Sequence, residues 1–455
     1  MRSRTPGGGP ASSCTVRRRT LLTAAAALAG GAALLGAVGR TTATEAADDA
    51  YQDVLQDALR AVPLGGAIVI DREWVRSRSL VVDRPVRIRF TEEGRIRMVT
   101  TATAVVVTAS GVEIDDADIR GVGSESGGEG HGIAVMGDRL APLRGVVVRG
   151  GRFRDLPHDG VHLEYCDHFR VTGTTMDRVG YAGVLGVGVV DGVIDRNRVS
   201  DVRQPRGRVN SYGIALTRDA TATPDVTRRS ARVRVVDNHV SGVPAWEGID
   251  THAGEGIEIR GNVVTACRVG IAAVPSKDPD DRTQTSVAPI DLVIADNVVT
   301  RGPGLPAGSG ILVSGAGTTV GSTRPRATGR VIGNVVTGYG GGGEAGILVK
   351  LTRGMVLDGN RVRSSADNAI CLVHSNAAAV ARNNSVRGVS GTRVGVNIRA
   401  GANDGSIHHN AFAVTQPALA VAVRFGDPDN RFHVSDNDWG NARVDLARGG
   451  AVVTS

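Results

Sequence analysis

Two short stretches concentrate side chains that could do chemistry together. One is Asp155-Leu-Pro-His158-Asp159-Gly-Val-His162-Leu-Glu164-Tyr165, and the other is Trp246-Glu247-Gly-Ile-Asp250-Thr-His252. Paired carboxyls can act as general acid and base, or as nucleophile. An imidazole can orient a carboxylate or carry a proton near neutral pH. Aromatic faces beside such groups can stack on sugar rings, having an apolar body and a polar edge. Glu247 and Asp250 therefore lead as candidate catalytic carboxylates, with His252 to orient them and Trp246 as a stacking platform. Asp159 and His158 follow as catalytic candidates. Which carboxyl is acid and which is base stays open.

The elements that must position these groups repeat along the chain. Gly160 and Gly248 each open a refrain, Gly-(Ile/Val)-x-(Leu/Val), which recurs as Gly132-Ile-Ala-Val, Gly213-Ile-Ala-Leu, Gly310-Ile-Leu-Val and Gly346-Ile-Leu-Val. A second refrain occurs twelve times between Val112 and Trp439: an apolar-x-apolar pair, a polar turn often ending in Asn, then Val, Phe or Met. Val193-Ile-Asp-Arg-Asn-Arg-Val199 and Leu292-Val-Ile-Ala-Asp-Asn-Val-Val299 are examples. Period-2 alternation reads as strands, two per unit. Units of 22 to 40 residues between refrain glycines are too small to bury their own apolar faces, so they must stack as a solenoid. The 62 glycines and 3% aromatic content suit many tight corners around an aliphatic core.

Strand alternation then places the exceptional residues. His162 and Asp250 fall on one outward column and Glu164 and His252 on the next, with Asp159 and Glu247 directly before the glycine. The two stretches are three coils apart, roughly 14 Å at strand spacing. Tyr181 and Tyr212 read as equivalent turn residues on the coils between, above a floor of small residues such as Ala215 and Gly186. The expectation is a shallow trough for an extended sugar chain, with Trp246, His162, Glu164, Tyr181 and Tyr212 binding it. The Asn column (Asn197, Asn238, Asn262, Asn297, Asn334, Asn360, Asn384, Asn410 and Asn437) reads as structural instead. Asn tolerates left-handed backbone, and its amide can bond a neighbouring turn.

Over roughly residues 48–440 the pattern resembles the right-handed parallel β-helix superfamily of pectin-lyase-like proteins. The resemblance implies an all-β fold, a single right-handed parallel β-helix of about twelve coils with an N-terminal capping helix. It transfers no mechanism, because fold alone does not license function. Gly130-His131-Gly132 is similar to an element of β-helical polygalacturonases, yet it precedes the acidic stretches and no Arg-Ile-Lys follows. Asp155-Leu-Pro-His-Asp159 has one residue more than the Asp-Pro-His-Asp of mannuronan epimerases. Pectate-lyase-like enzymes use calcium held by strand carboxylates and an Arg or Lys base. No cofactor is required here, although Glu247 and Asp250 are compatible with calcium. Lys350 lies two or more coils away.

Four segments follow: residues 1–43 as an export signal, 44–110 as capping helix and first irregular coils, 111–440 as the β-helix, and 441–455 as a C-terminal cap or tail. Arg17-Arg18-Arg19-Thr20-Leu21-Leu22 before an Ala/Leu/Gly run looks like a twin-arginine export signal. Removing residues 1–39 lowers the net charge from +7 to +2, since five arginines and no acid leave with them. That weakens any nucleic-acid reading. Cys166, Cys267 and Cys371, an odd set without metal-like spacing, read as small buried side chains. Asp48–Pro63 reads as one amphipathic helix with Tyr51, Val54, Leu55, Ala58, Leu59 and Val62 on one face. Insertions at 203–232, 275–290 and 315–329 could wall the trough.

The reading is a secreted or periplasmic protein acting on a polysaccharide by carboxylate acid/base chemistry, hydrolysis being favoured over elimination. No nucleic-acid partner and no stable membrane insertion of the mature chain are expected. The alternative is a β-helix that binds glycans or surfaces without turnover.

Overall fold

The computed structural model describes residues 53–203, 210–317, 322–388, 390–413, 421–440, 442–445 and 452–453. The export segment, Tyr51 and most of the C-terminal tail lie outside them. Each coil carries three strands, one more than the refrains suggested. The apolar-x-apolar pair forms the first, as in Val193–Asp195. The Val after the Asn centres a second, Arg198–Ser200. The glycine refrain forms the third, Tyr212–Thr217.

Like strands pair in parallel from coil to coil, giving a right-handed parallel β-helix. The first sheet has 15 strands, of which twelve lie between residues 111 and 440 as expected. Ala67–Ile70 and Arg87–Phe90 precede them, and Val452–Val453 follows. Inward positions stack like on like: Ile194 pairs with Val235, Val235 with Ile259, and Ile259 with Ile294. All are buried, each aliphatic side chain contributing about 1.5–3 kcal/mol relative to exposure.

The Asn column forms a continuous ladder. The backbone N–H and the amide of Asn197 both donate to Asn238 Oδ1, each at 3.0 Å, and the pattern repeats through Asn437. The left-handed backbone, however, belongs to the residue before each Asn: Arg196, Asp237, Asp296, Asn383 and Asp436 have φ of 52–57°. The ladder Asn is thereby turned inward, where its amide replaces the hydrogen bonds of a missing strand. A second, shorter ladder, Asn376–Asn403–Asn430, was not expected from the sequence.

The refrain glycine is required by close approach. A Cβ at Gly213 would lie 2.5 Å from the carbonyl oxygen of Gly248, and one at Gly248 would lie 2.7 Å from that of Gly270. The N-terminal end is closed by the helix Val54–Ala61, capped by Asp53. Leu55 and Leu59 face the core, whereas Val54 and Ala58 are exposed, so the apolar face is narrower than the sequence suggested. Gln56 exchanges two hydrogen bonds with the backbone of Val81, at 2.9 and 2.8 Å, covering the first strand of the third sheet. Cys166, Cys267 and Cys371 are free and buried. Among the described residues no helix is long and apolar enough to cross a membrane.

Candidate functional site

The third sheet carries the exceptional residues, and its register decides which of them meet. His162 pairs with Leu185, Leu185 with Ala215, Ala215 with Asp250, and Asp250 with Ala272. His162 and Asp250 therefore share one outward column. Glu164, Val187, Thr217 and His252 form the next. Two assignments need correction. Gly186 pairs with Leu163 and Leu216, so it faces inward, and Leu185 takes its place on the floor. Tyr212 pairs with Ala182 and Glu247, so it stands directly before the glycine, one position after the one that Tyr181 holds. The Tyr181-Ala-Gly spacing carries one residue more than Tyr212-Gly, which a count by coil overlooks.

The floor is also covered rather than open. Tyr181 and Trp246 pack against Ala182, Leu185, Val187, Tyr212 and Ala215. Rings then run across several coils: His131 against His162 at 4.5 Å, His158 stacked on Tyr181 at 4.6 Å, Tyr181 against Tyr212 at 5.5 Å, and Tyr212 against His252 at 6.2 Å. The guanidinium of Arg268 lies 5.2 Å over the Trp246 ring, a cation–π contact.

At one end stand Glu247, Asp250 and His252. Strand His239–His252 passes from the second sheet to the third without the usual corner, and its register shifts between Val243 and Glu247. Such a shift re-aims side chains. Glu247 and Asp250 are both buried. Written as two carboxylates, neither has a donor for Glu247 Oε2 or for either Asp250 oxygen. A proton held between them supplies one. Burial pushes Glu247 up to about 8, with Asp250 and Trp246 acting against the shift. Burial, and then the Glu247 charge, lift Asp250 well above the carboxylate range. His252 Nδ1 sits 3.5 Å from Asp250 Oδ2. Burial, and then the charge of Lys277, bring His252 down to about 4. At neutral pH the end thus combines a protonated carboxyl pair with a neutral imidazole.

At the other end Asp159, with no exposed side-chain surface, is ringed by three histidines. Its Oδ2 lies 3.0 Å from His162 Nδ1 and 3.2 Å from His131 Nδ1, and its Oδ1 lies 3.1 Å from His158 Nδ1. Burial opposes ionisation of Asp159, but the surrounding histidines outweigh it and hold the carboxyl well below its usual range. Burial lowers His131 to about 4. His131 is the member the sequence reading missed. The signal was present, since His131 stands directly before Gly132 as Asp159 and Glu247 stand before their glycines. Glu164 lies on the neighbouring column, and its carboxyl is raised by burial.

The three insertions interlock beside this sheet. Arg218 donates to Ser276 Oγ at 3.3 Å, Arg282 to the Ala220 carbonyl at 2.8 Å, and the Gly317 N–H to Thr285 Oγ1 at 2.8 Å. Asp278 of the acidic run pairs with Arg324 at 2.6 Å, a structural role. On the first sheet, a surface hollow between Arg149, Arg170 and Arg196 lies away from these groups. Its arginines pair with Asp115 and Asp195.

A family model described as periplasmic copper-binding protein (NosD) matches residues 223–441. No curated protein matches the chain. Among solved structures, the chain is similar to the tailspike protein of E. coli bacteriophage HK620 in complex with a hexasaccharide. The TM-score is 0.60 at 13% identity, covering 88% of this chain and 75% of that one. It is also matched by DFA-IIIase from Arthrobacter chlorophenolicus in complex with GF2, with TM-score 0.47 at 13% identity, covering 78% of this chain and 84% of that one. The tailspike likeness, at this identity, is one of fold.

Proposed function

We propose that this chain is a carbohydrate-active β-helix protein that cleaves a polysaccharide laid along its third sheet. The observation that carries the proposal is the buried Glu247–Asp250 pair beside His252, where burial raises both carboxyls and lowers the imidazole. A protonated carboxyl can give its proton to a leaving glycosidic oxygen, and a neutral imidazole can take one from water or from a sugar carbon. Trp246 and Tyr181, both half-buried, supply faces for sugar rings, whereas Tyr212 is buried in the floor they pack against. The match to a tailspike solved with a hexasaccharide supports an extended glycan only as far as a shared rod-like face goes.

Hydrolysis is the first reading, with Glu247 as acid and His252 positioned to activate water. Elimination is the second, and one observation favours it. Carboxyl oxygens of Glu247 and Asp250 lie within 4.8 Å of each other, whereas hydrolases separate their two carboxyls by about 5 Å or more. Asp159 is no substitute partner, since three coils place it roughly 14 Å away. The matched family's description supports a periplasmic or secreted setting. Its copper does not fit the donors here. Within residues 223–441, the described group of three candidate ligands is Glu247, Asp250 and His252, one imidazole with two proton-retaining carboxyls, and copper favours nitrogen and sulfur donors. Calcium would meet the same retained proton, so the reading uses no cofactor.

The test is incubation of the mature chain with a polysaccharide panel, following reducing ends together with ultraviolet absorbance of an unsaturated uronate. Reducing ends alone mean hydrolysis, and both signals mean elimination. Glu247→Gln should lower the rate by about 10²–10⁴-fold, the usual worth of a general acid. Binding of a glycan without turnover in the unmodified chain would establish the non-catalytic alternative.

A further inference from the structure

The histidine-ringed carboxylate around Asp159 is not explained by glycan cleavage at Glu247, and its geometry points to a second site. We propose that His131, His162 and Asp159 bind a divalent transition-metal ion, with His158 Nδ1 standing 3.1 Å from the second oxygen of the carboxylate.

The distances fit a coordination shell as well as hydrogen bonds. Ligand atoms bound at about 2.0–2.1 Å lie about 3.0–3.4 Å from one another in octahedral or tetrahedral geometry. Asp159 Oδ2 lies 3.0 Å from His162 Nδ1 and 3.2 Å from His131 Nδ1. One donor atom from each of the three residues lies within 4.8 Å of the others.

A purely hydrogen-bonded cluster accounts for less. Only the His162 contact has hydrogen-bond geometry. His131 Nδ1, His158 Nδ1 and Asp159 Oδ1 are buried without a hydrogen-bond partner although they stand close together. A cation there would satisfy Asp159 Oδ2 and both ligating nitrogens.

The donor set fixes the chemical class. Two imidazoles and one carboxylate suit zinc, iron, copper or manganese rather than calcium, which prefers six to eight oxygens. Three protein ligands also leave positions open for water or a substrate oxygen. His158, stacked on Tyr181 at 4.6 Å, stands behind the carboxylate, where outer-shell partners stand in metal sites. All four residues precede the segment matched by the copper-binding family model, so that description does not supply this inference.

The mature chain, stripped with chelator and then dialysed against Zn2+, Mn2+ or Cu2+, should retain one ion per chain of at least one of them after gel filtration, measured by elemental analysis. Co2+ should give the visible absorption of a nitrogen/oxygen site. His131→Ala should lower affinity at least tenfold while leaving the circular dichroism spectrum unchanged. Asp159→Asn tests the carboxylate, with thermal melting as a check on folding. The double variant His408→Ala with His409→Ala removes the other close imidazole pair and should leave binding as it was. Glu247→Gln should keep the ion, so this proposal and the glycan reading fail separately. Retention of none of the metals would overturn the proposal, as would unchanged affinity in His131→Ala or loss of the ion in the His408/His409 variant.

Discussion

At the scale of single residues, the site works through opposed environments. Glu247 is held protonated by burial, and His252 is held neutral by burial and by Lys277. The sign of the pH dependence follows. The imidazole must be unprotonated to accept a proton, so activity should rise as pH passes upward through about 4. The carboxyl must keep its proton to donate it, so activity should fall as pH passes through about 8. The expected profile of kcat/KM is a bell between those limits, and Glu247→Gln should remove its alkaline limb from whatever activity remains. A profile flat across that range would refute these roles. The sequence showed these residues as exceptions to an aliphatic refrain. It did not show their protonation, which depends on burial beside a floor, Tyr212 included, that Tyr181 and Trp246 cover. Nor could it show that His131 joins Asp159, because the two residues are 28 positions apart and meet only when coils stack.

At the scale of elements, the refrains were legible because strand alternation and stacking leave few alternatives. The structure departs from the expected pattern where local spacing varies. Tyr181 and Tyr212 differ by one residue in their distance from the glycine, and one residue moves a side chain to another column or face. The same sensitivity put Gly186 on the wrong face. The left-handed position before each ladder Asn was misread because Asn itself tolerates that backbone. Asp237, Asp296 and Gly261 in fact take it. The ladder nonetheless permits a quantitative expectation. Asn297 accepts two hydrogen bonds from Asn262, and its amide and backbone N–H donate to Ile259 and Asn334. Asn297→Ala would strand buried donors on Asn262 and an acceptor on Ile259, at about 1–3 kcal/mol each. A total loss of about 3–5 kcal/mol is expected, read by urea denaturation. Asn437→Ala, at the partly buried end of the ladder, should cost less. Equal losses would mean that the ladder's interior carries no special load.

At the scale of the whole molecule, a solenoid is stable only if its open ends are closed, since each coil is buried by its neighbours. The first strand of the third sheet, Leu80–Val82, would otherwise present unpaired backbone groups to another chain. Asp53 and Gln56 prevent this from the capping helix. Asp53 caps the helix and forms an ion pair with Arg76, and Gln56 uses its side-chain amide as a strand would, giving and taking one hydrogen bond at Val81. Gln56→Leu keeps the apolar packing beside Leu55 and Leu59 but removes both bonds. The edge should then be available to a second copy, and the variant should show a lower melting temperature and concentration-dependent association by light scattering. Asp57→Ala, on the exposed side of the same helix, should leave both unchanged. If Gln56→Leu associates no more than the unmodified chain and is as stable, Leu55 and Leu59 close the rod by packing alone, and the amide is dispensable.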